Sequence, residues 1–475
     1  MPESKQSISE TYADLQKAVK SRKTHPIEWR QSQLRALSQM LEEHHHDFVK
    51  ALNTDLNRSD FVSEMSELAQ LKTSVKDTIN KLSEYMKHSG NVGHLMMPMA
   101  FFPATGHVVP EPLGLVLIIA PWNYPIVLAL HPVIGAIAAG NAVLLKPSEI
   151  SKSCSNLMAR LIVKYLDQDA IRVIEGGVDE TTEILKYKFD HIFYTGSTTV
   201  GKIIYQAAAK YLTPVTLELG GKSPVLIDDT ANLKLAARRI LFGKFVNCGQ
   251  ICIAPDYCLV TKNNADSFYE ALMETYHQMF PGPLDTDKEF CRIINDAHTK
   301  RLVSFLEETD KDELSKRGAV LVGGKFDVEE KFVDITVFKN SHLDSKIMQD
   351  EIFGPLLPIV EVNTLDEAIE VVNTKPKPLA LYLFAGDQGI IDQVTRQTSS
   401  GALSINECIM HFAVEALPFG GVGDSGMGCY HGKSTFETFS HMKTVFCQSD
   451  RNIMDPYFRY PPYDDKRKYL MRKFF

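Results

Sequence analysis

Several features that would place this chain in a particular class of protein are missing from its sequence. Its first residues, MPESKQSISETY, contain neither the apolar core of a secretory signal nor the arginine-rich, acid-poor composition of a transit peptide. Only 8 cysteines are scattered over 475 residues, which is too sparse for a disulfide framework. The formal charge is -8, and no basic face dominates. We therefore expect a cytoplasmic protein without a nucleic-acid partner.

Charge itself is missing from one long stretch. No Asp, Glu, Lys or Arg lies between Glu111 and Lys146, a distance that would suffice for a membrane span. Helix-breaking and polar residues interrupt the stretch, namely Pro121, Asn123, Pro125, Pro132 and Asn141. The remaining pieces, LVLIIA, PIVLALHPVIGAIAAG and AVLLK, predict a buried strand-helix-strand unit at the centre of a parallel sheet, with no transmembrane segment.

The remaining sequence divides into three regions. Residues 10–87 show helical periodicity, whereas residues 113–219 alternate between short apolar strands and amphipathic helices. A second α/β run covers 223–410, with SPVLIDD, CLVTK, AVLVGG, PLLPIVEV, LALYLFAG and ALSIN as candidate strands. The alternation predicts an α/β fold with a Rossmann-like, doubly wound sheet, whose strand ends usually hold a nucleotide. The length fits two domains and a smaller element.

Several short patterns are false matches to known motifs. GVGDSG (421–426) has the letters of a dinucleotide fingerprint, but no apolar strand leads into it. GGKS (220–223) and HGKS (431–434) lack the first glycine of a phosphate-binding loop. Three adjacent histidines, 44–46, point in different directions on a helix. Zinc binding by nearby cysteines would need a fourth ligand and tighter spacing, so we expect no metal site.

The segment NCGQICIAPDY, residues 247–257, places Cys248 and Cys252 four residues apart. Most cysteines are buried and inert. A reactive cysteine must be partly accessible and electrostatically favoured as a thiolate. The segment alone leaves three interpretations open, namely a nucleophile, a metal ligand or core packing.

Six further motifs decide between these interpretations by their order and spacing. They are PWNYP (121–125), KPSE (146–149), GSTTVG (196–201), LELGGKSP (217–224), EIFGP (351–355) and PFGG (418–421). Together with the cysteine segment they resemble the NAD(P)-dependent aldehyde dehydrogenase superfamily over nearly the whole chain. WNYP and GMGCYHGK (426–433) look most like its class 3 and fatty-aldehyde branch.

The resemblance implies oxidation of an aldehyde to a carboxylic acid with NAD, or with NADP, by a homodimer. It also implies a domain division. The cofactor domain would comprise 1–91 and 112–218, the catalytic domain 219–425, and the bridging element with the C-terminal tail 92–111 and 426–475.

Three residues carry the reaction by this resemblance. Cys252 would be the nucleophile, because a thiolate adds readily to an aldehyde carbonyl. The side-chain amide of Asn123 and the backbone N–H of Cys252 would stabilise the resulting oxyanion. Glu218 would activate the water that releases the acid, since a buried carboxyl group has a raised pKa.

The cofactor residues also follow from the resemblance. Gly196 and Ser197 would meet the pyrophosphate at a helix N-terminus, where free N–H groups favour anions. Lys146 and Glu149 would contact the adenosine ribose, and Glu351 the nicotinamide ribose. A carboxylate at 149 would repel a 2′-phosphate, which favours NAD over NADP. The predicted set is Trp122, Lys146, Glu149, Gly196, Ser197, Gly201, Leu219, Glu351 and Phe353.

For the substrate, the resemblance implies only a broad class of aldehydes. Family members of this branch take medium- to long-chain aliphatic and aromatic aldehydes. Proximity to the motifs suggests Tyr124, Ile251, Ile253, Cys408 and His411 as pocket walls.

Two alternative functions are a coenzyme A-acylating enzyme and a catalytically silent scaffold. The scaffold is considered because the basic, aromatic tail KRKYLMRKFF could make weak peripheral contact with an anionic membrane.

Cys248 would be a packing residue. A protective disulfide between Cys248 and Cys252 is feasible only outside a regular helix.

Overall fold

The computed structural model describes residues 7–87, 89–93, 96, 101–451 and 455–474. Parts of three predicted segments fall outside this range: residues 1–6 and 88 of segment 1–91, residues 94, 95 and 97–100 of the bridging segment 92–111, and residues 452–454 and 475 of segment 426–475.

Helices and strands alternate along most of the chain. The helices are α1 Ile8–Ser21, α2 Ile27–Glu43, α3 His45–Leu56, α4 Asp60–Ser63, α5 Ala69–Tyr85, α6 Val127–Ala139, α7 Lys152–Tyr165, α8 Val178–Ile184, α9 Thr198–Ala209, α10 Leu233–Phe245, α11 Lys262–Met279, α12 Asp296–Leu306, α13 Lys311–Arg317, α14 Leu365–Thr374, α15 Gln388–Gln397, α16 Gly432–Thr438 and α17 Asp465–Phe474. The strands are β1 Ser89–Val92, β2 Thr105–Pro112, β3 Leu115–Ile119, β4 Ala142–Lys146, β5 Ile171–Val173, β6 His191–Thr195, β7 Val215–Glu218, β8 Pro224–Ile227, β9 Tyr257–Thr261, β10 Ala319–Val322, β11 Phe326–Asp327, β12 Phe332–Val333, β13 Thr336–Lys339, β14 Leu356–Val362, β15 Ala380–Phe384, β16 Ala402–Ile405, β17 Gly426–Met427 and β18 Ser440–Cys447.

The first sheet has six strands in the order β17-β7-β6-β3-β4-β5. Its pairs are parallel except for β17 with β7. The chain builds β3, β4 and β5 outwards in one direction and then returns to place β6 and β7 on the other side of β3. The strand order therefore reverses between β3 and β6, which is where doubly wound sheets form their ligand crevice.

The second sheet has seven strands in the order β10-β13-β14-β9-β8-β15-β16. All neighbours are parallel except β10 and β13. The predicted α/β fold with two parallel sheets is confirmed. Strand β13, Thr336–Lys339, was not among the predicted strands.

A third sheet joins distant parts of the sequence. Strand β2 pairs along its full length with β18, near the C-terminus, and also with β1. Most of β18 is exposed, so its sequence lacks the run of apolar residues that marks a buried strand.

The uncharged stretch after Glu111 folds as predicted into strand, helix and strand. Every residue of β3, α6 and β4 is buried, because α6 packs between the first sheet and helices α2, α5 and α16. Within the described residues no helix has both the length and the apolar character that crossing a bilayer requires.

Candidate active site

Four predicted residues lie at the carboxyl edge of the first sheet. Asn123 follows β3, Lys146 ends β4, Gly196 follows β6 and Glu218 ends β7. Carboxyl ends of parallel strands meet at one edge, so segments separated by about 100 residues in sequence are brought together at the switch point.

Asn123 connects this edge to the cysteine segment. Its buried side chain donates through Nδ2 to the carbonyl oxygen of Gln250, at 3.0 Å, two residues before Cys252. Its own carbonyl oxygen accepts from Arg58 Nη2 at 2.7 Å and from Asn247 Nδ2 at 2.9 Å. The amide predicted to stabilise an oxyanion is therefore fixed from both its side chain and its backbone.

Arg58 belongs to a buried network that sequence reasoning missed. Its guanidinium pairs with Glu67, and both side chains are completely buried. Glu67 Oε2 also accepts from the N–H groups of Ile126 and Val127, each at 2.8 Å, at the start of α6. A π-helical turn, Glu64–Leu68, presents Glu67 to this site. In sequence both residues resemble ordinary surface charges of a helical region.

The cysteine segment leaves helical geometry before it reaches Cys252. Backbone φ is 51° at Asn247, 55° at Cys248 and 68° at Gly249, all left-handed. Glycine is required at 249 because a Cβ there would overlap the carbonyl oxygen of Gly354. The segment is therefore not a regular helix. The turn directs the two cysteines to different surroundings.

Cys252 lines a cavity, whereas Cys248 is completely buried. The Cys248 thiol lies 3.8 Å from the carbonyl oxygen of Val333, within the core. Burial raises the pKa of the Cys252 thiol, and the nearby carboxyl groups of Glu351 and Glu218 raise it further. The backbone N–H groups of Cys252 and Ile253 act in the opposite direction and favour the thiolate. Cys252 thus lies beside both predicted carboxylates.

Glu218 is a buried carboxyl group without an internal partner. Only 2% of the residue is exposed, and neither oxygen has a hydrogen-bond partner among the described residues. Burial raises the pKa of this carboxyl group well above its ordinary value. Its backbone is held at the sheet edge by pairing with Gly426. A strand-end carboxyl group with a raised pKa can accept a proton more readily than an ordinary surface carboxylate.

Several predicted cofactor residues lie at strand ends of the same sheet as Asn123 and Glu218. Lys146 Nζ lies 2.7 Å from Glu149 Oε2, and Ser197 caps the N-terminus of α9. At Gly196 a Cβ would overlap the Tyr194 hydroxyl, so only glycine lets the chain turn there. The N–H groups of the α9 N-terminus that Ser197 does not cap, with the close backbone approach at Gly196, fit what a dinucleotide pyrophosphate requires.

Glu351, the residue predicted to contact the nicotinamide ribose, lies close to Gly220 and Asp256. Burial, with the charge of Asp256, raises the pKa of Glu351 to about 8. A side chain at Gly220 would meet the Glu351 carboxyl group. The rings of Trp122 and Phe353 lie edge to face, with centroids 5.3 Å apart. Two further predicted residues, Gly201 and Leu219, lie against each other, since a Cβ at Gly201 would lie 2.8 Å from Leu219 Cδ2.

An apolar cavity of about 100 Å³ opens at Cys252. Three of the predicted wall residues, Tyr124, Ile251 and Ile253, line it. The other lining residues come from four separate parts of the chain: Met65, Ser66, Gln70, Leu128, Phe242, Val246, Ile409, Met410, Phe412 and Ala413.

Cys408 and His411, the other two predicted wall residues, are not among the lining residues. Cys408 is completely buried. His411 stacks against Phe419, with ring centroids 5.9 Å apart, and burial lowers its pKa to about 4. Their neighbours Ile409, Met410 and Phe412 line the cavity instead. The backbone turns within this segment, and the sequence alone does not reveal that turn.

Residues 3–445 match the aldehyde dehydrogenase family. The chain belongs to this family. It is 44% identical over 451 residues to aldehyde dehydrogenase family 3 comG of Dictyostelium discoideum, covering 95% of this chain and 93% of the relative. It is also 44% identical over 460 residues to the dimeric NADP-preferring aldehyde dehydrogenase of Mus musculus, covering 96% and 98%.

Solved structures agree with this assignment. The substrate-bound state of a Staphylococcus aureus enzyme, AldH, superposes with a TM-score of 0.93 at 41% identity, covering 99% of this chain and 100% of the other. The predicted resemblance to the class 3 branch, the aldehyde dehydrogenase fold and the assignment as an NAD(P)-dependent oxidoreductase are confirmed.

Proposed function

We propose that the protein oxidises an aldehyde to the carboxylic acid with NAD(P) through a covalent intermediate on Cys252. The observation that carries this proposal is that two further groups lie close to Cys252, which lines the apolar cavity. They are the Asn123 amide, bound to the carbonyl oxygen of Gln250, and the buried Glu218 carboxyl, whose charge acts on the Cys252 thiol. This set matches what the reaction demands, namely a nucleophile, a fixed donor and a base.

The first step is addition of the Cys252 thiolate to the aldehyde carbon. The carbonyl π electrons move to oxygen, giving a thiohemiacetal oxyanion. Asn123 Nδ2 carries two hydrogens, and one of them is donated to the carbonyl oxygen of Gln250. The other is donated to the oxyanion, together with the backbone N–H of Cys252. Loss of one such donor typically costs about 10²- to 10³-fold in rate.

The cofactor residues would hold NAD(P) between the α9 N-terminus and Glu351. When bound, NAD(P) supplies the acceptor for the hydride of the substrate. The acyl group is then left on Cys252 as a thioester. Glu218 removes a proton from water, whose oxygen attacks the thioester carbon, and the C–S bond breaks to release the acid and the Cys252 thiolate.

We further propose that NAD is preferred and NADP is accepted. Glu149 would accept hydrogen bonds from the ribose hydroxyls of NAD, and its charge would repel a 2′-phosphate. Lys146, at 2.7 Å from Glu149, softens this repulsion by offering a cation at the same place. The mouse relative is named NADP-preferring, which supports use of both cofactors in this branch.

The substrate class proposed is medium- to long-chain aliphatic or aromatic aldehydes. Beyond Cys252 and the Tyr124 ring, the cavity offers an aldehyde mainly hydrocarbon and thioether side chains, with Ser66 and Gln70 as its polar members. Each methylene that such a surface removes from water contributes about 0.8 kcal/mol of binding.

We propose a cytoplasmic homodimer built on the predicted domain division. The dimeric state named for the mouse relative supports the assembly. Domain boundaries at 91/92, 111/112, 218/219 and 425/426 remain proposals. Near the last of these, Gly426–Met427 pairs with β7 of the first sheet, so the chain returns to the cofactor side before it enters the tail.

The C-terminal helix α17 supports weak contact with an anionic membrane surface. Its sequence DKRKYLMRKF is rich in basic residues, and none of its residues is buried. At low salt, the unmodified protein should sediment with phosphatidylserine vesicles. The Lys466→Glu, Lys473→Glu double variant should stay in the supernatant. Equal sedimentation of the two proteins would remove this role.

An assay of NADH formation tests the proposed reaction. Aldehydes from propanal to hexadecanal, with benzaldehyde, should be oxidised to free acids without coenzyme A, and kcat/KM should rise with chain length. A requirement for coenzyme A, with an acyl-coenzyme A product, would favour the acylating alternative. No NAD(P)H from any aldehyde would support a catalytically silent scaffold.

A further inference from the structure

One side of the cavity is formed by a short segment that we call the wall segment, residues 409–413. Ile409, Met410, Phe412 and Ala413 of this segment line the cavity, and Met410 is substantially exposed. The segment lies between β16 and α16 and includes a single 3₁₀ turn, Met410–Ala413. Regular secondary structure therefore contributes little to its position.

The wall segment begins at a strained residue. Ile409 has φ 56° and ψ -31°, a conformation that β-branched residues rarely adopt. The N–H of Met410 donates to the carbonyl oxygen of Cys408 at 2.6 Å, which closes a three-residue turn centred on Ile409. Such strain persists only where the surroundings hold the residue firmly.

Tyr382 provides this hold. Its hydroxyl accepts a hydrogen bond from the N–H of Ile409 at 3.2 Å and donates one to the carbonyl oxygen of Ile253. Tyr382 is completely buried and lies on strand β15. One phenol group thus connects the residue after the nucleophile to the start of the wall segment.

A second polar contact holds the other end of the segment. Gln70 Nε2 on α5 donates to the carbonyl oxygen of Phe412 at 3.2 Å. Because Gln70 also lines the cavity, this bond joins two parts of its lining. The two contacts fix the wall segment relative to both Cys252 and helix α5.

We propose that Tyr382 is a positioning residue that sets aldehyde specificity by holding the wall segment against the Cys252 loop, with Gln70 as its second support. The inference rests on the proposed aldehyde oxidation. A short aldehyde needs only the groups around Cys252, whereas a long one extends along the wall segment. Loosening the segment therefore penalises long substrates more than short ones.

The test compares Tyr382→Phe with a matched control, Tyr269→Phe. Tyr269 is also a buried tyrosine with a bridging hydroxyl, donating to Glu361 at 2.9 Å and accepting from the N–H of Asn340, but it does not line the cavity. In Tyr382→Phe, the ratio of kcat/KM for dodecanal to that for propanal should fall about fivefold or more, through a higher KM for dodecanal. In Tyr269→Phe the ratio should stay within about twofold.

Two outcomes would overturn the proposal. An equal loss for both aldehydes would show that the Tyr382 hydroxyl serves only the Cys252 loop, and a ratio shift of the same size in Tyr269→Phe would show a general effect of a lost core hydrogen bond. Gln70→Met, which leaves the core intact, should shift the ratio in the same direction as Tyr382→Phe. If Tyr382→Phe does not fold, the ratio measured for Gln70→Met tests the proposal in its place.

A binding measurement separates this proposal from the proposed reaction. If the unmodified protein oxidised neither aldehyde, the proposed reaction would be wrong. Calorimetric titration with dodecanamide would still test the wall segment. Its Kd should rise about fivefold or more in Tyr382→Phe or Gln70→Met and stay within about twofold in Tyr269→Phe. An unchanged Kd in all variants would contradict the wall-segment proposal alone.

Discussion

Glu67 and Glu218 are both buried carboxyl groups near the strand ends of the first sheet, yet their surroundings are opposite. Glu67 pairs with Arg58 and accepts two backbone N–H bonds. Glu218 has no hydrogen-bond partner among the described residues. The paired group holds the turn around Asn123 in place, since Arg58 also donates to the Asn123 carbonyl.

This difference distinguishes a carboxyl group that supports the structure from one that can take part in the reaction. A buried ionic group that has every partner it needs fixes a backbone, and its protonation is of little use to a reaction. A buried carboxyl group whose oxygens have no partner among the described residues can exchange protons with a substrate or water. Cys252 belongs to the second kind of environment, whereas Cys248 is completely buried in the core.

Removing the nucleophile should have the largest effect. Cys252→Ala should lower aldehyde turnover by about 10⁴-fold or more, because no other group in the cavity can form the thioester. The rate of NADH formation measures this directly. Residual turnover above about one part in a hundred would assign the covalent step to another residue.

Replacing the unpaired carboxyl group should have the next largest effect. Glu218→Gln should form one equivalent of NADH quickly and then slow about 10²-fold or more, because water is no longer activated. In the unmodified enzyme steady-state turnover should fall as pH is lowered, since the active form is the carboxylate and burial raises the pKa of Glu218.

That acid limb should disappear in Glu218→Gln. Unchanged steady-state turnover in this variant would remove Glu218 from the mechanism.

Breaking the paired region should affect the fold more than the chemistry. Glu67→Gln leaves the Arg58 guanidinium buried without its counter-charge, so the free energy of unfolding should fall by about 3–5 kcal/mol. Glu183→Gln is the control, because the Glu183–Lys186 pair is exposed and its loss should leave the free energy of unfolding nearly unchanged. Urea unfolding of the two variants in parallel makes the comparison. Similar losses in both would show that the buried pair is not a support.

The smallest effect is expected for the buried cysteine. Cys248→Ala should keep turnover within about twofold and lose about 1 kcal/mol of stability through poorer packing. Steady-state kinetics on freshly reduced protein measure the first quantity. A loss comparable to that of Cys252→Ala would instead support a mechanism that uses both sulfurs.

The sequence was most informative where local pattern and burial agree. The uncharged strand-helix-strand unit after Glu111 could be predicted because strands buried on both faces are continuous apolar runs. The edge at which Asn123, Gly196 and Glu218 meet followed from the parallel order of the strands. Their chemical roles came from the family resemblance and remain predictions.

The sequence was least informative where tertiary contacts override local pattern. Arg58 and Glu67 look like surface charges, and only the fold shows them buried against each other. Strand β18 is mostly exposed and lacks a strand pattern, yet β2 pairs along its whole length. The wall segment turns through a strained Ile409, so proximity in sequence suggested Cys408 and His411 rather than their neighbours.

The most direct test of the account is the location of the trapped acyl group. Glu218→Gln protein would be mixed with NAD and dodecanal, quenched in acid, digested and sequenced by tandem mass spectrometry. The account predicts a dodecanoyl adduct on Cys252 and an unmodified Cys248 in the same peptide. A dodecanoyl group on another residue, or no adduct at all while NADH is formed, would contradict it.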